Sequence, residues 1–297
     1  MAAPTPVFRS WNPADLPTGE LHQLLLGSVA PRPIALASTV DREGNPNLAP
    51  FSYFNVFSTH PPLVIFAPNR SGRTGAQKDT LLNLMEVPEV VVNLVDYAMV
   101  EQVNISSAEY PRGVDEFAKA GLTPLPGTRV QPARVAESPA QLECTVREII
   151  TLGARGGSGN LVLAEVVAIH IDSARLTDQS VPDPQLMDLV ARMGANYYCR
   201  ASGASVFEVE KPIGRSAIGL DGLPASVRNS TVFTGNDLGK LANTAALPTD
   251  AEVDAFRQTA EWQQLQGLSP ADIHRLVQTD WATRPLHERW LLLLAGG

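Results

Sequence analysis

The sequence predicts a mainly β protein with helices interposed, an antiparallel barrel rather than a doubly wound sheet. Three observations carry this. Strand-like segments follow one another with few helices between them, not in a regular βαβ alternation. Two neighbouring pairs of strand candidates, within residues 34–58 and 140–172, are joined by short polar or glycine-rich connectors, as hairpins are. Beyond Ser202 the chain changes character and carries helix caps instead of β-branched runs.

The elements can be taken in order. Thr18 to Leu26 is a short helix candidate, broken by Gly27 and the Pro31-Arg32-Pro33 punctuation. Ile34 to Val40 is a strand, and Asp41 to Asn45 a turn. The returning strand is Asn-Leu-Ala-Pro-Phe-Ser-Tyr-Phe-Asn-Val-Phe-Ser, residues 47–58. It is an odd one. Pro50 cannot donate to a ladder, which points to an edge or a bulge. Neither alternating face is purely apolar or purely polar. Pro62 to Ala67 is a third strand, followed by a polar loop from Asn69 to Gly75. Lys78 to Met85 reads as a helix that Asp79 or Thr80 would cap. Glu89 to Val95 is a β-branched strand; Tyr97 to Ser107 and Val114 to Ala120 look helical. Two long strands are expected at Ala140 to Leu152 and Asn160 to Asp172. The glycine-rich segment between them is followed by a strand, whereas a phosphate-binding glycine loop should open a helix. It therefore reads as a hairpin loop. Asp183 to Arg192 is a further helix candidate.

In the tail, Leu223 to Asn229 and Asp237 to Asn243 read as short helices. Thr249-Asp250-Ala251-Glu252 is a capping box opening a helix to about Leu265. Ser269-Pro270 opens the next, and Thr283 to Leu294 is the last, ended by Gly296-Gly297. Its apolar count looks modest, so the tail is expected to pack on the barrel or on a partner subunit. Whether it would cover a site there or merely decorate the surface is left open.

The bulk numbers narrow the function. With 297 residues, 44% hydrophobic and 18% charged, the chain can bury a sizeable core. A net charge of −8 argues against nucleic acid as partner. Cys144 and Cys199 lie in no C-x-x-C pair and read as free thiols in a reducing compartment. The opening MAAPTPVFRSWNP has no apolar core of a secretory signal, and the apolar run Trp290 to Ala295 is too short to span a bilayer. A cytoplasmic protein without membrane or nucleic-acid partners is the expectation. The Asn104 and Asn229 sequons then carry no meaning. The five histidines form no zinc-protease arrangement, and neither a G-x-S-x-G elbow nor a Walker loop is present.

The first hundred residues hold what remains. Ser38 and Thr39 are hydroxyls late in a strand. Asn69, Arg70, Ser71 and Arg73 follow the third strand, and Lys78, Asp79 and Thr80 open a helix. Cations, hydroxyls and a helix N-terminus are the parts that hold a phosphate. A mixed aromatic and small-polar strand suits a planar ring with hydrogen-bonding edges. The competing reading is a solvated loop and an ordinary helix start.

Several ordered segments resemble the flavin reductase-like family. They are Arg32-Pro33-Ile34-Ala35-Leu36-Ala37-Ser38-Thr39, then Asn47-Leu48-Ala49-Pro50-Phe51-Ser52-Tyr53-Phe54-Asn55, then Pro61-Pro62-Leu63-Val64. Lys78-Asp79-Thr80-Leu81-x-Asn83, Val91-Val92-Asn93-Leu94-Val95 and Val135-Ala136-Glu137-Ser138-Pro139 continue the likeness, which runs from about Leu25 to Cys199. The resemblance implies an FMN-binding split β-barrel over residues 1–204 with a helical extension over 205–297, usually in a homodimer. It implies that Ser38 and Thr39 lie by the flavin's phosphate and ribityl chain. Ala49, Pro50, Phe51 and Ser52, with Asn55, would lie along the ring. Lys78 and Thr80, with Asp79, would hold the phosphate, with Asn69 and Arg70 nearby. The function so implied is an FMN-dependent oxidoreductase fed by NADH or NADPH and serving a small-molecule or protein acceptor. The cofactor would carry the chemistry, so no catalytic side chain and no metal is named. Alternatives are an electron carrier of the flavoredoxin kind, a non-catalytic flavin-binding protein, and a reductase for which flavin is a substrate.

Overall fold

The computed structural model describes residues 6–281 and 283–296. The first five residues of the MAAPTPVFRSWNP opening and the terminal Gly297 lie outside them. The chain divides into two units, one ending at Phe207 and one beginning at Glu208.

In chain order the first unit contains α1 (Thr18–Ser28), β1 (Arg32–Pro33), β2 (Ala35–Val40), β3 (Pro46–Phe51), β4 (Phe54–Thr59) and β5 (Pro62–Phe66). Then come α2 (Asp79–Glu86), β6 (Glu89–Asn93), α3 (Val100–Ser106), α4 (Glu116–Ala120), β7 (Pro124–Leu125) and β8 (Arg134–Val135). It closes with β9 (Ala140–Thr151), β10 (Asn160–Ile171), β11 (Val190–Arg192) and β12 (Tyr198–Arg200). Seven strands form one antiparallel sheet in the order β3-β2-β6-β9-β10-β5-β4.

The odd segment 47–58 is not one strand. It is β3 and β4, which occupy opposite edges of the sheet although only Ser52 and Tyr53 separate them. A two-residue link can join opposite edges only if the sheet curls until they meet. The result is a barrel left open between β3 and β4, the split barrel expected. The broken alternation follows, because each half answers to a different edge.

β2 is buried along its whole length. Ala35 and Ala37 face the barrel interior with Val64, Phe66, Val92 and Cys144. Ile34 and Leu36 face a second core with Leu48, Met99, Val103 and Phe117, under α3 and α4. Each such large side chain contributes about 1.5–3 kcal/mol. Burial pushes the Cys144 thiol up to about 12, as suits an inert core cysteine.

Other expectations need correction. Residues 183–192 are not a helix: Val190–Arg192 is a strand between β1 and β12. A short apolar run cannot be told from a helix by periodicity, and here its partners decide. Neither Asp79 nor Thr80 caps α2; Lys78 holds the cap position without a side-chain bond.

The second unit contains α5 (Ala225–Arg228), α6 (Gly235–Ala242), α7 (Asp250–Arg257), α8 (Ala260–Leu265), α9 (Pro270–Thr279) and α10 (Leu286–Ala295). The single helix expected over 249–265 is two, because Thr259 accepts from the Trp262 amide and starts α8 afresh. The modest apolar count was also misleading. This unit has its own core, including Leu223, Val227, Leu241, Ile273, Trp290 and Leu292. The apolar residues are spread over six short helices, so no single segment displays them. Among the described residues, no helix is long and apolar enough to cross a membrane.

Candidate functional site

The outer edge of β3 is a strand edge closed to further strands. Leu48 turns its amide away from β2 and donates to Glu116 Oε2 at 3.0 Å. Strand periodicity puts Pro46 and Pro50 in that same outward register. Their missing N–H groups therefore leave no hydrogen bond unmade inside the sheet, and two prolines and a buried carboxylate block edge pairing. Asp115 caps α4 by accepting from the Phe117 amide at 2.9 Å, and Gly121, at φ 64°, ends it in the left-handed region. Together these hold Glu116 against β3. Burial pushes the Glu116 carboxyl up, and the Leu48 amide works against that shift.

Between this edge and the start of α2 lies a cleft of about 260 Å³. The α2 face toward the barrel is tied down by side chains. Asn47 Nδ2 donates to Thr80 Oγ1 at 3.0 Å, and Asn83 Nδ2 to Thr39 Oγ1 at 3.2 Å. Arg112 donates to Asp79 at 3.1 Å and to Asn83 Oδ1 at 3.2 Å. The Asp79 charge is thus met, as is that of Glu109, which pairs with Arg73. Lys78 makes no side-chain hydrogen bond or ion pair among the described residues, and it lines the cleft at the helix N-terminus. The helix dipole adds partial positive charge at the same place.

The structure brings Ala49, Pro50, Phe51, Lys78, Asp79 and Thr80 together on this cleft. Ser52 lines an adjoining compartment of about 370 Å³, reached past Pro50 and Phe51. The other expected residues stand elsewhere. Ser38 and Thr39 are fully buried in β2, which is covered on both faces. Among the described residues the Ser38 hydroxyl has no partner, and Thr39 accepts from Asn83. Asn55 is exposed on β4, its Oδ1 accepting from the Val56 amide at 2.8 Å. Asn69 and Arg70 meet the 153–159 hairpin loop: the Arg70 amide donates to the Ser158 carbonyl at 2.9 Å. Arg70 Nη1 also donates to the Gly75 carbonyl at 3.2 Å. Arg70 therefore shapes the loop whose Ser71 and Thr74 line the cleft.

Sequence reasoning missed Asn47, Thr74, Ser107, Tyr110 and Glu116 on the cleft. It also missed Arg192, Asn196 and Tyr198 on the adjoining compartment. The signal for the last three was a hairpin, Val190 to Arg200, around Gly194-Ala195-Asn196; reading 183–192 as a helix hid it.

A flavin reductase like domain is matched over residues 26–189, more than half of the chain. The chain belongs to the flavin reductase-like family. A protein of Halalkalibacterium halodurans is 36% identical over 203 residues, which span 68% of this chain and 95% of its own. Nitrilotriacetate monooxygenase component B from Bacillus cereus has a similar structure, with a TM-score of 0.64 and 29% identity. It covers 69% of this chain and 100% of its own. The 2-nitrobenzoate 2-nitroreductase of Pseudomonas fluorescens is similar with a TM-score of 0.62 and 27% identity, covering 71% of this chain and 100% of its own. The family match ends before the second unit begins.

Proposed function

We propose that this protein is an FMN-dependent oxidoreductase that takes electrons from NADH or NADPH and passes them to a separate acceptor. The observation that carries the reading is the cleft between the β3 edge and the start of α2. Lys78 is there a cation without an ion pair among the described residues, beside a helix N-terminus, and Ser71 and Thr74 line the same cleft. That donor set fits a terminal phosphate. Ala49, Pro50 and Phe51 present apolar surface to a planar ring, Pro50 adds its outward-register carbonyl, and the blocked edge keeps another strand from taking the place. FMN, when bound, supplies the hydride and electron chemistry. The residues of the chain bind and orient it, and no side chain need act as acid, base or nucleophile. The two neighbours above 25% identity, a monooxygenase component and a nitroreductase, support an oxidoreductase reading.

The test is direct. Protein purified or reconstituted in FMN is expected to be yellow and to release FMN on denaturation. Anaerobic mixing with NADH or NADPH should bleach it. Release of FAD, or no flavin uptake at all, would remove the reading; uptake without bleaching would leave an electron carrier.

The protein is expected to work in the cytoplasm as a homodimer. The edge strand β4 exposes Val56 and Phe57 at 60% and 64%, and Ile169 on β10 at 61%. Apolar groups beside an open edge are what a second copy covers. Light scattering at micromolar concentration should give the dimer mass; a monomer there rejects this part of the proposal.

A further inference from the structure

The register of the small sheet sets two arginines face to face. Arg32 on β1 stands directly across from Arg192 on β11, and Arg192 directly across from Tyr198 on β12. Like charges in that relation destabilise a sheet. Among the described residues neither guanidinium meets a carboxylate. Arg32 is buried and donates to the carbonyls of Leu26, Val29 and Met193 at 2.6, 2.8 and 3.0 Å, leaving Nε without a partner. Burial lowers the Arg32 pKa; the facing Arg192 lowers it further, and Tyr53 works the other way. Arg192 donates once, to the Ala195 carbonyl at 2.8 Å, and its guanidinium lies over the Tyr198 ring, 4.6 Å from the centroid. By contrast, Arg200 on β12 is held by Asp188 at 2.6 and 2.8 Å.

Arg192 lines the compartment that begins at Pro50, Phe51 and Ser52. Among the described residues no carboxylate lines it; the rest is apolar residues, small hydroxyls, two amides and Tyr198. Arg192, faced by a second arginine and without an ion pair among the described residues, opens into an amphipathic compartment beside the cleft and asks for an anion from outside. We propose that this compartment binds a small organic carboxylate with a planar apolar body, and that Arg192 is its anion anchor. The planar fork of Arg192 matches a carboxylate, and Tyr198 fixes the plane of that fork. Arg32 has spent its donors on carbonyls and adds field rather than contact. One available guanidinium suits a single negative charge better than a doubly charged pyrophosphate. Treating the bound acid as the electron acceptor rests on the flavin reading; the anion site itself does not.

Calorimetry on the full-length, FMN-treated protein tests this with benzoate, benzamide and ADP-ribose. Benzoate should bind at least tenfold tighter than its neutral analogue benzamide, as a charge-assisted bond requires. Arg192→Gln should erase that preference while FMN affinity stays within about twofold, since Arg192 does not line the FMN cleft. Equal binding of benzoate and benzamide by the wild type overturns the proposal whatever the variant does. So does a variant that keeps the benzoate preference. ADP-ribose binding that falls tenfold in Arg192→Gln, with benzoate unaffected, assigns the anchor to a pyrophosphate instead and also overturns it. Absence of FMN uptake by the wild type counts against the flavin reading alone, because the benzoate comparison still decides the anion site.

Discussion

Lys78 sits at the cap position of α2 and among the described residues pairs with no carboxylate, while the neighbouring Asp79 is held by Arg112. A charge-assisted contact to a phosphate contributes roughly 1.5–3 kcal/mol, about a ten- to hundredfold in affinity. Lys78→Ala is therefore expected to weaken FMN binding by that factor in a flavin-fluorescence titration, with the melting temperature unchanged. An unaltered dissociation constant would return Lys78 to a solvated helix start. At this scale the sequence was partly legible. Pro50 announced an edge because proline lacks a donor, and Lys78 announced a helix start. The burial of Ser38 and Thr39 could not be read from residue type alone, since a hydroxyl in a strand says nothing about how many layers will cover it. Glu116 was invisible for a different reason. Its role comes from one hydrogen bond to Leu48, 68 residues earlier in the chain, and no local pattern encodes it.

Elements were legible where their stability is local and blurred where it is not. The β9–β10 hairpin is long enough to read directly. The division of 47–58 between opposite edges, and β11 itself, depend on partners far along the chain. Glu143 on β9 shows what such partners do. Fully buried, it accepts from the Thr128 amide at 2.8 and 3.0 Å, from the Arg129 amide, and from Thr128 Oγ1 at 3.0 Å. His170 Nε2 on β10 lies 2.8 Å from it. Burial alone would raise its pKa, but the Thr128 and Arg129 amides, with the Thr128 hydroxyl and His170, outweigh that and hold it below the usual range. A carboxylate depressed in the folded state contributes stability above its unfolded pKa, and the contribution is lost as pH falls through the folded value. Glu143→Gln removes the charge-assisted part, about 2 kcal/mol near pH 7. Urea midpoints measured from pH 7 to pH 3 should show the wild type ahead at neutral pH and the gap closing in acid. A gap that stays constant with pH would mean the glutamate acts only through its shape.

For the whole molecule, the sequence placed a change of character near Ser202, and the contacts divide the chain after Phe207. What could not be read was that the second unit has a core of its own, because that core is spread over several short helices and loops. The core centres on Trp290, which is fully buried and donates from Nε1 to the Leu241 carbonyl at 3.1 Å. Ile273, Val277 and Leu292 are buried in the same cluster. Capping boxes at Thr234 and Thr249 set two of its helix starts without help from the barrel. A fragment of residues 208–297 is therefore expected to fold alone, with a helical circular-dichroism spectrum and a cooperative melt. Trp290→Ala should cost about 3–5 kcal/mol, a large share of the stability of a domain this size, and abolish the transition near room temperature. A fragment of residues 1–207 is expected to bind FMN as tightly as the full chain, since the cleft is built wholly from residues before 117. If it loses flavin faster, the second unit acts as a cover for the cleft. If residues 208–297 show no cooperative transition, the helices depend on the barrel after all, and the buried cluster does not suffice as a core.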